Sequence, residues 1–437
     1  MRGTIALLSV EDAAVRIFTS LVAVACTLLL ASLPQTVHAE ITLSQDFDSG
    51  SLNVAGSTIS GNVVSLEPRR FASNEWYGDF WQVYFRANGV RDQSVTFKIP
   101  ISNAFQPYDL GQQLVYSYDQ INWSFAPGLT YPGSGESLQF TKRFTQDTVY
   151  IADALPYTVA RTASHTTALQ TNPYVHATAS GSAGFVIGQS AGGTDDLGRT
   201  IPRQDIYGYV ISDDSSTQPK KKVVLTAGNH SAETTGNYTL EGMVNFLLSD
   251  DPHAAALRQE AEFYVYPMTD PDGRYAGYYR SNPENPTLNH NRYWNDTDGF
   301  TDLTLVTQAM KADTGGDVDY FFDFHSSGWP WSNGIWYSGQ LGGPTQDYID
   351  AMLELEPTLM LGTVDSPGVA AVWAGSAQGL NADIFLTPET GFLNGWQASN
   401  YHALGESYAL ALWQVIPEPT SLLLLACGAI SFVRRRR

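Results

Sequence analysis

Cysteine is nearly absent from this sequence. The 437 residues contain only two, Cys26 and Cys427, and both lie in terminal segments that we predict to be removed. The remaining body would then have no disulfide, which suits an exported protein that does not depend on redox state. Apolar residues continue beyond Cys26, so no lipid attachment is expected there.

The first 39 residues have the pattern of an export signal. Arg2 and Arg16 supply positive charge around an apolar stretch at 21–30, and residues 37–39 (Val-His-Ala) have the small-residue pattern of a cleavage site. A membrane anchor is the weaker interpretation, because the apolar run is too short to span a bilayer comfortably. We therefore predict a signal peptide over residues 1–39.

The last residues, 416–437, form a second targeting segment. A Pro-Glu-Pro sequence at 417–419 precedes an apolar run at 422–433 and four arginines at 434–437. Arginines after an apolar segment stay on the cytoplasmic side of a membrane. This order resembles the PEP-CTERM sorting tail of Gram-negative bacteria, although an ordinary tail anchor is the alternative. The resemblance implies transient membrane association, cleavage by an exosortase-type enzyme, and release to the cell surface or outside the cell.

Positive charge is scarce in the body between these ends. Removing both ends leaves 18 Lys and Arg against 41 Asp and Glu, a formal charge of −23. Such an acidic surface repels phosphate backbones, so we do not expect a nucleic-acid partner. The remaining length, about 375 residues, is enough for two domains with separate cores.

The hydrophobic pattern predicts two domains of different class. Residues 40–155 contain short strand-like runs about ten residues apart with Gly, Pro, Asn and Asp between them, which is typical of a β-sandwich. Residues 156–415 alternate strands with helices, which predicts an α/β domain with a mixed sheet. The predicted strands of this domain are 206–211, 222–227, 262–267, 320–324 and 383–386, and its predicted helices are 235–249, 345–355 and 398–415. A Gly- and Ser-rich segment at 178–196 is predicted to be a surface loop.

Candidate metal ligands follow three of the predicted strands. His230 and Glu233 come after the second strand, His325 after the fourth, and the carboxylate of Glu389 after the fifth. Open α/β sheets bind ligands outside the carboxyl ends of their strands, so these side chains should converge. Two imidazoles and one carboxylate suit Zn²⁺ with an open fourth position. The helix-borne H-E-x-x-H pattern is absent, which excludes that class of zinc site.

These residues together resemble the zinc carboxypeptidase family, and most closely its cytosolic carboxypeptidase-like branch, over about residues 41–414. That branch has a β-sandwich before its catalytic domain. The resemblance implies that one zinc ion per chain is held by His230, Glu233 and His325. It also implies action on the C-terminal ends of peptides or proteins.

The resemblance assigns four further side chains. Arg280 would stabilise the oxyanion, and Asn291 and Arg292 would clamp the terminal carboxylate of the substrate. A planar guanidinium grips a carboxylate bidentately, which suits this role. Glu389 would be the general base that takes a proton from water activated by the metal. A Pro-Asp-Gly turn at 271–273 also matches the family.

The sequence departs from the family pattern at several places. Asn289 stands where an aspartate usually orients a zinc histidine, Asp270 stands where asparagine is common, and His290 is unusual and would be expected at the surface. No tyrosine lies between Tyr348 and Glu389, where many members carry a mobile active-site tyrosine. Trp373 is a possible substitute for substrate contact.

The absence of cations also bears on specificity. Residues 312–433 contain no Lys or Arg, and in the family this region largely lines the pocket for the terminal side chain. We therefore expect no preference for acidic C-terminal residues. A neutral or aromatic preference fits better, and Asp365 or Asp383 would favour a basic one. Arg199 or Arg203 would have to enter the pocket from elsewhere to reverse this expectation.

Three functions remain open at this point. The first is an exported zinc-dependent carboxypeptidase that hydrolyses C-terminal peptide bonds. The second is a zinc amidase acting on peptidoglycan stem peptides, although no cell-wall-binding repeat is visible. The third is a non-catalytic surface binding module, which would be expected to have lost a ligand or the base, yet all are present.

Overall fold

The computed structural model describes most of the predicted body of the protein. The described residues are 39–71, 80–100, 114–130, 137–182, 184–295, 299–326, 335–339, 342–357, 360–364, 368–393 and 395–416. The predicted signal peptide and sorting tail lie almost entirely outside these residues, as does Asp365. Within the described part, no helix combines the length and apolar character needed to cross a bilayer.

The first part of the described chain is a β-sandwich, as predicted. Its strands are β1 (Thr42–Ser44), β2 (Thr58–Ser60), β3 (Val63–Ser65), β4 (Arg69–Phe71), β5 (Phe80–Gln82), β6 (Tyr84–Asn88), β7 (Ser94–Pro100), β8 (Val115–Ser117), β9 (Trp123–Phe125), β10 (Ser137–Arg143) and β11 (Val149–Ala152). One sheet has the order β1-β6-β11-β8-β9 and the other β10-β7-β3-β2, while β4 and β5 pair separately.

Alternation of side chains along the strands builds the core of the sandwich. In β7, Val95, Phe97 and Ile99 are buried while the residues between them are more exposed. This is the period-two pattern of a strand with one face in a core. Phe97 stacks on Phe140 of the neighbouring β10 with ring centroids 5.6 Å apart. The sandwich that the spacing of strand-like runs predicted therefore has the side-chain alternation of a packed core.

The second part of the described chain is the predicted α/β domain. Its strands are β12 (Val175–Ala177), β13 (Val186–Gln189), β14 (Gly193–Thr194), β15 (Thr200–Ile201), β16 (Asp205–Tyr207), β17 (Tyr209–Ile211), β18 (Lys221–Ala227), β19 (Ala261–Tyr266), β20 (Tyr320–Phe324), β21 (Ile335–Gly339), β22 (Met360–Val364) and β23 (Ile384–Thr390). Its helices are α1 (Val159–Leu169), α2 (Thr234–Leu247), α3 (Pro252–Glu260), α4 (Pro271–Ala276), α5 (Thr301–Thr314), α6 (Gly343–Leu355), α7 (Val369–Ala374) and α8 (Ala398–Val415), with a 3₁₀ turn at His290–Arg292.

An eight-stranded mixed sheet forms the centre of this domain. Its order is β12-β17-β19-β18-β20-β23-β21-β22. The four central strands, β19, β18, β20 and β23, run parallel, and antiparallel pairs adjoin them on both sides. β18 comes first in sequence among the four, and its two neighbours lie on opposite sides. The chain order therefore reverses at β18, since the next two central strands lie on opposite sides of it. The carboxyl end of such a strand is where α/β sheets bind ligands.

Three sequence expectations need correction. Residues 206–211 form parts of two strands, β16 and β17, because Gly208 separates them. The segment 178–196 is not only a loop, since it includes β13 and β14. The predicted strand 383–386 continues to Thr390, because its second half pairs antiparallel with β21. Glu389 therefore lies within a strand instead of following one.

Polar contacts join the sandwich to the α/β domain. Asp48, from the sandwich, accepts hydrogen bonds from the backbone nitrogens of Val159 and Ala160, at 3.3 and 2.9 Å. This places a carboxylate at the N-terminus of α1, where the exposed N–H groups and the helix dipole favour negative charge. Arg199 donates to the carbonyl oxygens of Gln45 and Gly50 at 2.6 and 3.2 Å. The two domains thus share one polar interface.

Glycines permit the close packing of α2 against α8. A methyl group at Gly405 would lie 2.1 Å from the carbonyl oxygen of Thr239 and 2.4 Å from the nitrogen of Met243. A methyl at Gly242 would lie 2.3 Å from the Cα of His402. These separations are far below van der Waals contact, so the two helix backbones touch at the glycines.

Gly405→Ala tests this packing. Helix propensity alone favours alanine by about 1 kcal/mol, but the added methyl must push the helices apart. We expect a net loss of about 1–3 kcal/mol in the free energy of unfolding, measured by chemical denaturation. The control is Ala403→Gly at an exposed position of α8, where only propensity acts. A more stable Gly405→Ala protein would contradict the packing.

Candidate metal centre

The loop after β18 carries the first two candidate ligands. β18 ends at Ala227, and the turn through Gly228, with a φ of 70°, brings His230 and Glu233 over the carboxyl edge of the sheet. Glu233 is also the N-cap residue of α2, yet its side chain makes no capping hydrogen bond. Its carboxylate instead faces the imidazoles of His230 and His325, so it does not serve as a helix cap.

His230, Glu233 and His325 converge as predicted. The Nδ1 atom of His230 lies 2.9 Å from Oε1 of Glu233, and Nδ1 of His325 lies 2.7 Å from Oε2. All three side chains are buried, and their potential ligand atoms lie within 4.8 Å of one another.

The other nitrogen of each imidazole is held by an outer partner. Nε2 of His230 lies 2.9 Å from Oδ1 of Asn289, and Nε2 of His325 lies 2.7 Å from Oδ2 of Asp323. Asp323 in turn accepts a 2.7 Å hydrogen bond from Thr226 Oγ1. Such partners fix the tautomer and orientation of a metal-binding histidine, leaving Nδ1 as the ligand atom.

These residues fit zinc. Two imidazole nitrogens and a carboxylate oxygen are the protein ligands of many catalytic zinc sites, in which a fourth position stays open. Both Nδ1 atoms face the same carboxylate, as a common metal position between them requires. Burial, together with Arg280 and His325, lowers the pKa of His230 to about 4. Its ring is therefore neutral at ordinary pH, as a metal ligand must be.

Glu389 lies beside His325. The two residues form a parallel β-bridge, with His325 N donating to Pro388 O at 2.9 Å and Thr390 N donating to His325 O at 3.1 Å. Burial raises the pKa of Glu389 to about 7, helped by Glu233 and opposed by His325 and Arg280. A carboxyl whose pKa lies near the working pH is suited to exchanging protons during a reaction.

Arg280 is the cation closest to the ligand carboxylate among the described residues. Its Nη2 lies 3.3 Å from Oε1 of Glu233, and its side chain is 28% exposed. The guanidinium therefore borders both the buried ligands and the opening of the site. A fixed positive charge in such a position can stabilise negative charge that develops on a bound carbonyl oxygen.

Asn291 and Arg292 belong to the 3₁₀ turn that adjoins His230 through Asn289. Oδ1 of Asn291 accepts a 2.7 Å hydrogen bond from Trp294 Nε1, which fixes the amide group. Arg292 is exposed, and its Nη1 donates to the Asn291 carbonyl oxygen at 2.9 Å. The turn thus places an oriented amide and an accessible guanidinium next to the metal ligands.

Family comparisons agree with this geometry. A zinc carboxypeptidase model matches residues 191–333, and a model for the cytosolic carboxypeptidase N-terminal domain matches residues 43–153. Residues 191–333 are therefore similar to a zinc carboxypeptidase domain. The matches confirm the predicted resemblance and the class of metalloenzyme, and they agree with zinc as cofactor because the family uses zinc and a His/Glu/His group is present.

Curated relatives are similar over parts of their length. Cytosolic carboxypeptidase 2 of Danio rerio is 29% identical over 268 residues, covering 55% of this chain and 35% of its own. Human cytosolic carboxypeptidase 6 is 29% identical over 140 residues, covering 30% of this chain and 27% of its own. The chain therefore spans only about a third of the relatives' length or less.

Solved structures show the same fold. A metallo-carboxypeptidase from Burkholderia cenocepacia superposes with a TM-score of 0.68 at 23% identity, covering 86% of this chain and 99% of that one. A metallo-carboxypeptidase from Pseudomonas aeruginosa gives 0.66 at 20% identity, with coverage of 86% and 99%. The predicted fold class, a β-rich domain followed by an α/β domain, is confirmed.

The C-terminal prediction also has support. A model of the PEP-CTERM protein-sorting motif matches residues 415–437. The motif indicates an exported protein that is processed at the membrane of a Gram-negative bacterium.

Two sequence expectations around the candidate metal centre were wrong. His290 is fully buried instead of exposed. Trp373 is 2% exposed and packs on Trp294, with ring centroids 5.3 Å apart, so it belongs to the core.

The expected Pro-Asp-Gly turn is present after β19. It forms the first turn of α4 and is capped by Asp270, whose Oδ1 accepts from Gly273 N at 2.9 Å.

The charged residues considered for the specificity pocket also lie elsewhere. Asp383 precedes β23 and so stands at the end of that strand opposite to Glu389. Arg199 pairs with Asp195 at 2.8 Å and contacts the sandwich. Arg203 donates to the Ser190 carbonyl oxygen at 2.8 Å. These contacts engage both arginines in structural roles.

Asp323 is a residue whose role the sequence reasoning missed. It lies two positions before His325 on the same chain segment, and residues two apart in a strand point to the same side. That spacing was a usable signal for an orienting carboxylate. Asn289, by contrast, was expected from the resemblance at the position that orients a zinc histidine, and it lies 2.9 Å from Nε2 of His230.

Asp323→Asn tests the orientation of His325. The amide keeps the shape but weakens the hydrogen bond that fixes the imidazole, so zinc affinity should fall about 10- to 100-fold. Competition with a chromophoric chelator measures this affinity. Asp319→Asn is the matched control, because Asp319 bonds Lys221 at the other end of the same strand. Equal zinc affinities of the two variants would contradict the role of Asp323.

Proposed function

We propose that the protein is an exported, zinc-dependent carboxypeptidase that removes residues from the C-termini of peptides or proteins. The observation that carries this proposal is the convergence of His230, Glu233 and His325 beside Glu389, with Arg280 at the same opening. The family match and the fold support it. The PEP-CTERM motif supports delivery to the cell surface or the medium.

His230, Glu233 and His325 would hold the metal. When bound, zinc polarises the scissile carbonyl and makes water a stronger nucleophile at neutral pH. The burial of the three ligands keeps bulk water away from the donor atoms and favours a defined geometry. Asn289 and Asp323 keep both imidazoles in the orientation that this requires.

Glu389 would act as the general base. The backbone bridge to His325 and the influence of His325 and Glu233 on the pKa of Glu389 support a carboxylate close to the ligands, where it would take a proton from the attacking water. The same group can then deliver that proton to the leaving amine. A carboxyl with a pKa of about 7 is able to take up and to release a proton near neutral pH.

Arg280, Asn291 and Arg292 would bind the substrate. Arg280 would donate hydrogen bonds to the carbonyl oxygen as it gains negative charge. Asn291 and Arg292 would hold the terminal carboxylate, which distinguishes the end of a chain from an internal bond. Arg292 is exposed, so a substrate carboxylate can approach it from solvent.

Glu389→Gln is expected to retain zinc and lose turnover. Glutamine keeps the size of the side chain but cannot accept the proton, so kcat should fall by about 10²- to 10⁴-fold. Peptide release and zinc content are measured on the same preparations. Glu406→Gln, at an exposed position of α8, is the control and should behave as the wild type. Full activity in Glu389→Gln would refute the assigned base.

Arg292→Ala is expected to reduce discrimination for a free C-terminus. The wild type should cleave peptides with a free carboxylate much faster than the same peptides with a C-terminal amide. Loss of the guanidinium should raise KM for the free peptides about 10-fold or more, because a charge-assisted contact is lost. Paired assays on both peptides measure the effect. Equal cleavage of both by the wild type would instead point to an amidase or endopeptidase.

A panel of peptides that differ only in the last residue tests side-chain specificity. Because residues 312–433 contain no Lys or Arg, and Arg199 and Arg203 are engaged elsewhere, we expect glutamate and aspartate to be released slowly. Neutral or aromatic residues should be released fastest. Release rates are measured at substrate concentrations below KM, so that they report kcat/KM for each peptide. Fastest release of glutamate would overturn the expectation.

A further inference from the structure

A second buried polar cluster lies beside the ligand loop. Asp270, His290 and Asp302 are each at most 1% exposed, and their polar atoms lie within 4.8 Å of one another. None of the three has a role in the proposed reaction. Burying so many polar groups is costly unless each one is bonded, so the cluster calls for a physical reason.

His290 bridges two separate segments through its ring. Nδ1 lies 3.2 Å from Oδ1 of Asn229, and Nε2 lies 3.0 Å from Oδ1 of Asp302. Both ring nitrogens face oxygen acceptors, and an imidazole donates from both nitrogens only when it is protonated. Burial lowers the pKa of His290, but Asp270 and Asp302 raise it above its ordinary value overall.

Asp270 extends the cluster to the other side of the ligand. Its Oδ2 accepts a 3.2 Å hydrogen bond from Ser231 Oγ. Asn282 Nδ2 lies 3.3 Å from both Asp270 Oδ1 and Asp302 Oδ2, which joins the two carboxylates. The residues immediately before and after His230, Asn229 and Ser231, are therefore held by one network.

The backbone of His290 joins the network to the substrate-binding groups. Its N–H donates to the carbonyl oxygen of Arg280 at 2.8 Å. Its neighbours in sequence are Asn289, which bonds the ring of His230, and Asn291, which belongs to the proposed clamp. His290 thus contacts or adjoins the described segments that carry Asn229, Arg280, Asn289 and Asn291.

The geometry favours a hydrogen-bonded ion pair over a second metal. Asn282 Nδ2 lies between the two carboxyl groups, 3.3 Å from each, so an amide N–H donor occupies the position that a bound cation would need. Both ring nitrogens of His290 face oxygen acceptors, Asn229 Oδ1 and Asp302 Oδ1. The cluster is therefore interpreted as an imidazolium paired with Asp302.

We propose that His290 is a positioning residue, whose charged ring locks the ligand segment 229–231 to the clamp turn 289–292. The part of this inference that concerns substrate binding rests on the proposed function. The part that concerns the ligand loop does not. The ring acts through Asn229 and Asn289 on His230, and through the turn on Asn291 and Arg292.

Variants at His290 test the role. His290→Leu removes both hydrogen bonds, so zinc affinity should fall about 10-fold or more. With saturating zinc, KM for free C-terminal peptides should rise at least about 10-fold while kcat changes less. His290→Gln keeps a donor for Asp302 and should recover part of both losses. His253→Leu is the matched control, because His253 forms an exposed pair with Asp251 on α3.

Four outcomes decide the proposal. It is supported if zinc affinity and KM change in His290→Leu and recover in His290→Gln. It is overturned if zinc affinity and KM of His290→Leu both stay within twofold of the wild-type values. It is also overturned if zinc affinity and KM of His290→Gln are as far from the wild-type values as those of His290→Leu. Two zinc ions per wild-type chain would also overturn it, in favour of a second metal site.

A measurement on the zinc-loaded wild type guards against variants that fail to fold. Nitrogen-15 NMR of the imidazole rings should show one protonated histidine at pH 8, since exposed histidines are neutral there and the ligand histidines hold metal. If every imidazole ring is neutral at pH 8, the proposal is overturned. If the wild type shows no zinc-dependent release of C-terminal residues, the proposed function fails, while zinc affinity and the NMR signal still test the network.

Discussion

The site depends on one buried carboxylate shared by two imidazoles. Glu233 is 4% exposed and contacts His230, His325 and Arg280. A lone carboxylate buried to this extent would be strongly destabilised, so it requires cationic or metal partners. His230 and Glu233 follow the strand β18, while His325 follows β20. The requirement to satisfy Glu233 therefore fixes how the ends of two central strands lie relative to each other.

The surrounding structure supports that arrangement at several levels. Parallel pairing aligns the carboxyl ends of β18, β20 and β23 on one edge. The β-bridge between His325 and Glu389 continues the parallel pairing of β20 and β23 beyond the last residue of β20. Asn289, from a distant turn, and Asp323, from the strand that precedes His325, then contact the two imidazoles. The rigid strands β18 and β20 thus align the starting points of the segments that carry the candidate ligands.

Much of this could be inferred from the sequence because it depends on local patterns. The spacing of short strand-like runs between turn residues predicted the sandwich, and the position of His325 directly after a buried strand predicted its place at the sheet edge. The spacing of His230 and Glu233 is also local. The burial of His290 could not be inferred, because its partners Asn229 and Asp302 are 61 and 12 residues away.

The sequence alone predicted the class of each domain and the candidate ligand set, and it determined the scarcity of cysteine and the absence of Lys and Arg from residues 312–433. These follow from residue type, short-range periodicity and the resemblance to a family. Only the tertiary structure decided which polar groups meet. It buried Trp373 in the core, brought Arg199 into hydrogen bonds with the sandwich, and brought Asn289 within hydrogen-bonding distance of the His230 ring. These outcomes depend on loop paths and on the burial of charge, which are set by contacts between segments far apart in the chain.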